Sequence, residues 1–154
     1  MELYYISLYY KSNFVTGANK RFDEIGERLF KYLGAKFKCI VTSGQRPHWC
    51  PKENCIEVFQ FRSKVGKLRS WLELSIILSQ LPKGGVISDF LPLPIYIFRR
   101  AHIHYQLIHD LRNFNKFKRG GLGHLTQRFQ KSQLQSADKV ITVNRTKLMI
   151  APIR

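Results

Sequence analysis

Strand-like and helix-like patterns alternate along almost the whole of this chain, and that alternation limits its possible folds more than any single motif does. Residues 3–9 are aromatic, β-branched or apolar nearly throughout, the pattern of a strand covered on both faces. A polar loop follows, and then Phe22, Ile25, Leu29, Phe30 and Leu33 recur in steps of three and four. That spacing puts them on one face of a helix, with Gly34 positioned as its C-cap. Residues 37–42 predict a second strand, 44–51 its connecting loop and 56–61 a third strand. A basic linker over 64–69 opens a helix at about 68–81, apolar on most sides and packed deep, which Pro82-Lys83-Gly84-Gly85 ends. Residues 86–90 make a short fourth strand, 91–94 a turn, 95–100 a brief helical piece and 102–108 a fifth strand. A loop over 110–121, a helix at about 122–136 and a sixth strand over 139–143 complete the series.

Such a sequence of elements calls for the α/β class. The expected architecture is a single doubly wound, Rossmann-like parallel sheet of six to seven strands, with helices on both faces and right-handed crossovers. A length of 154 residues suits one domain, residues 1–143, with 144–154 a divergent or truncated tail. In sheets of this kind the ligand crevice lies beyond the carboxyl ends of the strands. The loops after Tyr9, Asp89 and Ile108 are therefore where chemistry is expected.

Charge narrows the partners only partly. Lys and Arg number 26 against 10 Asp and Glu, a formal +16, which builds a positive field that draws anions. Nucleic acid, anionic headgroups and phosphorylated small molecules all satisfy it, as does a merely solvated basic surface. No uninterrupted apolar run reaches the roughly 18 residues that a membrane-spanning helix requires. The first ten residues lack a basic leader and a cleavage site, so a cytoplasmic location is expected. Cys39, Cys50 and Cys55 are an odd set, which argues for reduced thiols. The stretch from His48 to Cys55 offers one His and two Cys without paired spacing, so zinc would need a further ligand from elsewhere. It reads as a proline-containing loop, and no metal or other cofactor is expected.

Three groups of residues are candidates for chemistry. Thr16, Gly17, Asn19 and Lys20 stand where the first loop meets the first helix, a place where backbone amides can face a phosphate or an acceptor. An ordinary strand-to-helix turn has the same residues. His109, Asp110 and Arg112 follow the fifth strand: the histidine can donate a hydrogen bond or proton, the aspartate can orient it or bind a hydroxyl, and the arginine can meet a phosphate. Against that stands a structural histidine beside a turn-capping aspartate. Phe114, Lys116, Phe117, Lys118 and Arg119 alternate cations with aromatics, a composition that suits an anionic membrane surface or the stacked bases of single-stranded nucleic acid. Such phenylalanines can also simply tuck inward from a loop. There is no G-x-G-x-x-G, GK[ST] or G-x-S-x-G, which removes the main support for dinucleotide, P-loop and serine-hydrolase chemistry.

The passage His109-Asp110-Leu111-Arg112, together with the helix pattern that ends in Ala137-Asp138 and continues into the apolar Val140-Ile-Thr-Val143, resembles glycosyltransferase family 4. The similarity is to the amino-terminal, acceptor-side domain of these retaining enzymes of the GT-B fold, and it extends over residues 3–143. It implies transfer of a sugar from a nucleotide-sugar donor, without a metal, to a glycan or lipid-linked acceptor in cell-surface polysaccharide synthesis. His109 then matches the histidine near the reacting sugar, with Asp110 beside it, and Gly17 falls in the loop that approaches donor phosphate or acceptor. Family members continue into a second, donor-binding domain, whereas here residues 144–154 diverge, so a donor lobe acting in trans is the expected partner. The expected location is the inner face of the cytoplasmic membrane. A basic nucleic-acid-binding α/β module and an inactive fragment are the alternatives; nucleic acid is not the favoured partner because no recognition motif is present.

Overall fold

The computed structural model describes residues 1–13, 15–59, 64–88, 103–108, 134–135, 137–143 and 148–152. Its elements are β1 (Glu2–Ser7), α1 (Gly17–Leu33), β2 (Phe37–Thr42), β3 (Cys55–Val58), α2 (Lys64–Gln80), β4 (Gly84–Ser88), β5 (Ile103–Ile108), β6 (Lys139–Val143) and β7 (Leu148–Pro152). They form a seven-stranded sheet in the order β3-β2-β1-β4-β5-β6-β7. The first six strands pair in parallel and β7 runs antiparallel to β6.

The strand β1 is central and covered on both sides, as its composition requires. Alternation along it sends Tyr4, Ile6 and Leu8 to one face and Tyr5 to the other. The chain then moves outward from β1 to β2 and β3, and returns across β1 to β4. Crossovers of one hand made in opposite directions must lie on opposite faces of the sheet. Accordingly Phe22, Ile25, Leu29, Phe30 and Leu33 of α1 pack with Tyr5, Phe37, Val41 and Ile87, while Leu74 and Leu78 of α2 pack with Tyr4, Ile6, Ile40 and Val86 on the other face. Each large apolar side chain buried in this way contributes about 1.5–3 kcal/mol.

Both ends of α1 form as the residue types dictate. Thr16 is its N-cap, with Oγ1 accepting from the Asn19 amide at 3.1 Å. Gly34 caps the C-terminus with φ of 54°, a left-handed conformation that disfavours any residue with a side chain. Gly26 is needed for a different reason, close approach: a Cβ there would run into the Trp49 indole, which lies against the helix.

The structure differs from the sequence-based expectation at several places. β1 ends at Ser7 and β3 runs only over Cys55–Val58, because the apolar run at each strand's end continues into the following turn or loop. The segment 64–69 is the first part of α2 and not a linker, since its basic residues tolerate a helix well. Only one face of α2 is buried; Leu72 and Ile76 point outward, each 58 % exposed, so the helix lies on the sheet's surface and is not packed deep. β4 begins at Gly84 and not at Val86, because two glycines expected to form a turn pair with Glu2 and Leu3 of β1. β7 was not expected at all, as 148–152 falls within the presumed tail. It is an edge strand, the one sheet position where a proline such as Pro152 removes no ladder bond that a central strand needs. The turn at 91–94, the helical piece at 95–100 and most of the helix at 122–136 lie outside the described residues, although Leu134 and Gln135 are helical.

Replacing Gly26 tests the contact between α1 and Trp49. Alanine favours a helix interior by up to about 1 kcal/mol over glycine, whereas overpacking costs about 1–3 kcal/mol. Gly26→Ala is therefore expected to lower the urea midpoint despite its better helix propensity, and a raised midpoint would show that Trp49 moves aside freely.

Candidate functional site

The strand order reverses direction between β1 and β4, the place beyond the carboxyl ends of the strands where open α/β sheets hold their ligands. The loop from β1 to α1 lies at this edge. It turns back through a Tyr10 amide to Ser7 carbonyl bond of 3.4 Å, and Asn19 Nδ2 donates to the Lys11 carbonyl at 2.8 Å. Gln45, from the loop after β2, accepts from the Ser12 amide at 2.9 Å. The Tyr10 hydroxyl donates to Asp23 Oδ1 at 2.9 Å; burial, and then this carboxylate, push the phenol up, which keeps its proton in place.

Within that frame the four residues expected at the helix start separate into two roles. Thr16, Gly17 and Lys20 are exposed at the start of α1. The amides of Gly17 and Ala18 have no intrahelical acceptor, and no acidic residue occupies the first turn, so dipole and charge both favour an anion. Gly17 is open, with nothing within 4 Å of a built Cβ and no positive φ. Its backbone does not need glycine, and what the residue supplies is space. Asn19 is buried and turned toward Lys11, so it clamps the loop and does not face a ligand. Tyr9, in the turn after β1, is half exposed.

His109, Asp110, Arg112, Phe114, Lys116, Phe117, Lys118 and Arg119 lie outside the described residues; β5 ends at Ile108, immediately before them in the chain. His104, read as structural from its place within the strand, is buried. Its Nε2 shares a hydrogen bond of 2.8 Å with Ser88 Oγ, and its amide donates to Asp138 Oδ2 at 2.8 Å. These contacts join β4, β5 and the start of β6. Burial pulls the imidazole down to about 4, so the ring is neutral near neutral pH, and Nδ1 has no partner among the described residues.

A second constellation lies on the α1 face near the amino end of β2. Cys39 and Cys55 are register partners on neighbouring strands, so both side chains leave the sheet on the same side. The loop between them brings Cys50 over the pair, and all three sulfur atoms lie within 4.8 Å of one another, with Cys39 Sγ and Cys50 Sγ 3.2 Å apart. That loop is held at several points. The Cys50 amide donates to the Pro47 carbonyl at 3.2 Å, the Asn54 amide to the Pro51 carbonyl at 3.1 Å, and buried Asn54 Nδ2 to the Phe37 carbonyl at 2.7 Å. Trp49 Nε1 donates to Asp23 Oδ1 at 2.8 Å, which fastens the loop to α1. All three cysteines are free thiols, as their odd number suggested.

His48 is exposed and takes no part in this group, and Cys39 stands in the position the short His-Cys-Cys stretch lacked. The missing signal was register: pairing the second and third strands with Cys39 opposite Cys55 would have revealed it. The Asp23 junction with Tyr10 and Trp49 carries no comparable sequence signature.

Among the described residues no helix is long and apolar enough to cross a membrane. No family model, curated protein or solved structure matches the chain.

The buried His104 sets a pH dependence. Its folded value, about 4, lies below its ordinary 6.5, so the unfolded chain binds the extra proton first as pH falls. Stability contributed by the neutral ring is complete above pH 6.5 and is lost on acidification toward pH 4, a change on the order of 3 kcal/mol. His104→Gln should flatten urea-derived stability across that window, and an unchanged slope would mean that the ring is not held neutral.

Proposed function

We propose that this chain forms the acceptor-side lobe of a retaining glycosyltransferase of the family 4 type, which moves a sugar from a nucleotide-sugar donor to a glycan or lipid-linked acceptor. The observation that carries the reading is the reversal of strand order between β1 and β4, with a loop tied by hydrogen bonds and an exposed helix start at the same edge that bears Thr16, Gly17 and Lys20 and has no acidic residue in its first turn. Fold alone selects no chemistry. What adds chemistry is the sequence His109-Asp110-Leu111-Arg112, which follows in the chain directly on Ile108, the last residue of β5.

In this reaction the bond from the anomeric carbon to the diphosphate breaks and a bond to the acceptor oxygen forms. The departing diphosphate develops negative charge, which fixed cations and amide dipoles stabilise more strongly in a water-poor cleft than in water. The Gly17 and Ala18 amides and Lys20 supply part of that field, with Arg112 as a further cation. His109, steadied by Asp110, hydrogen-bonds the sugar as charge develops. Most donor contacts come from a second lobe. Phe114 and Phe117 enter the membrane interface while Lys116, Lys118 and Arg119 hold anionic headgroups, each cation adding about 1 kcal/mol near the surface. The enzyme so described works at the cytoplasmic face of a membrane and needs no metal for transfer.

Turnover of a panel of nucleotide hexoses by the chain combined with a family 4 donor lobe, using membrane extract as acceptor, tests the chemistry. Transfer is expected, falling more than about a hundredfold in His109→Ala; an unchanged rate removes His109 from the site, and no transfer with any lobe or donor removes the reading.

Binding to vesicles of phosphatidylglycerol and phosphatidylcholine tests the surface. It should weaken with salt and with the pair Phe114→Ser and Phe117→Ser. Salt-resistant preference for one nucleic-acid sequence over those vesicles would instead favour the nucleic-acid-binding alternative.

A further inference from the structure

We propose that Cys39, Cys50 and Cys55 form a three-thiolate site for one thiophilic divalent cation of the zinc class, with a water or small anion as its fourth ligand. Metal–sulfur bonds of about 2.3 Å at tetrahedral angles require sulfur atoms about 3.8 Å apart. Cys39 Sγ and Cys50 Sγ are 3.2 Å apart and all three sulfurs lie within 4.8 Å of one another, so small side-chain rotations bring all three onto one ion. Three separate segments supply the ligands: β2, the loop after it and the first residue of β3. A disulfide would use only two of these sulfurs and has no need of the third. Cys39 and Cys50 are buried whereas Cys55 is partly exposed, so water reaches the group from the Cys55 side.

Charge fits as well. Three thiolates and a divalent cation leave one negative charge, and Arg46 acts electrostatically on Cys50 and Cys55 in a chain of net charge +16. Binding replaces thiol protons with the metal, so affinity rises with pH. The site lies at the amino half of β2 and the start of β3, on the sheet but away from its carboxyl-edge crevice. The ion therefore acts as a staple between the two strands and the loop that carries Trp49, and takes no part in sugar transfer. It would also replace the metal-free loop inferred from residue spacing alone.

Cobalt titration of the full chain, reduced and stripped with chelator, decides the matter. One Co²⁺ per chain should bind with an intense thiolate-to-cobalt charge-transfer band, Zn²⁺ should displace it, and Zn²⁺ should raise the Tm. Cys55→Ser, the variant least disruptive to the core, should weaken Co²⁺ binding by more than the roughly 100-fold that loss of an outer-shell partner costs. His48→Ala should leave it unchanged. Absence of the charge-transfer band in the wild-type chain would overturn the proposal, as would a Cys39–Cys50 disulfide forming equally fast with and without Zn²⁺.

Discussion

Burial of β1 on both faces is the constraint on which the rest of this structure depends. Tyr4, Tyr5 and Ile6 are fully enclosed, and adjacent tyrosines pack into different cores. A strand with two apolar faces cannot sit at an edge or face water, so it needs a neighbouring strand on each side and a helix on each face. β2 and β4 meet the first need, α1 and α2 the second. The reversal of strand order, and with it the crevice, follows from placing such a strand in the middle of the sheet.

Asp23 connects that core to both the loop after β1 and the cysteine loop. One carboxylate oxygen receives the Tyr10 hydroxyl from the crevice loop and the Trp49 indole from the cysteine loop. Phe22, the preceding residue of α1, lies near Tyr5, Tyr10 and Trp49, with ring centroids 4.5, 4.8 and 6.0 Å away. The two loops therefore share one hydrogen-bonding anchor and one aromatic cluster, although they serve opposite ends of the strands. A zinc-class ion bound by the cysteines would stiffen the Trp49 side of this arrangement, and through Asp23 the orientation of Tyr10 beside the crevice.

Much of the architecture was legible before any coordinates. The apolar runs identify β2 and β6 to the residue and β1 to within two residues at its end, and the three-four spacing identifies the inner face of α1, because buried surface imposes its period on the sequence. Errors fall where another force overrides that period. Gly84 and Gly85 look like a turn but lie in β4, and the basic start of α2 looks like a linker although straight-chain cations are good helix formers. β7 is short, edge-bound and ends in proline, so little in its composition distinguishes it from a tail.

At the sites the division is sharper. Residue order placed Thr16, Gly17 and Lys20 at the carboxyl edge of the sheet, since strand-to-helix loops of a parallel α/β sheet leave from the carboxyl ends of its strands. Asn19 shared that prediction, but its amide group satisfies the Lys11 carbonyl inside the loop. Local sequence alone determined the class of fold, the inward faces and the candidate edge, because these depend on periodicities of two and of about 3.6 residues along the chain. Which distant residues touch was decided only in three dimensions: Cys39 beside Cys50 and Cys55, Ser88 on His104, and Tyr10 and Trp49 on Asp23. Such contacts depend on strand register and on how loops fold back, and neither leaves a repeating mark in the order of residues.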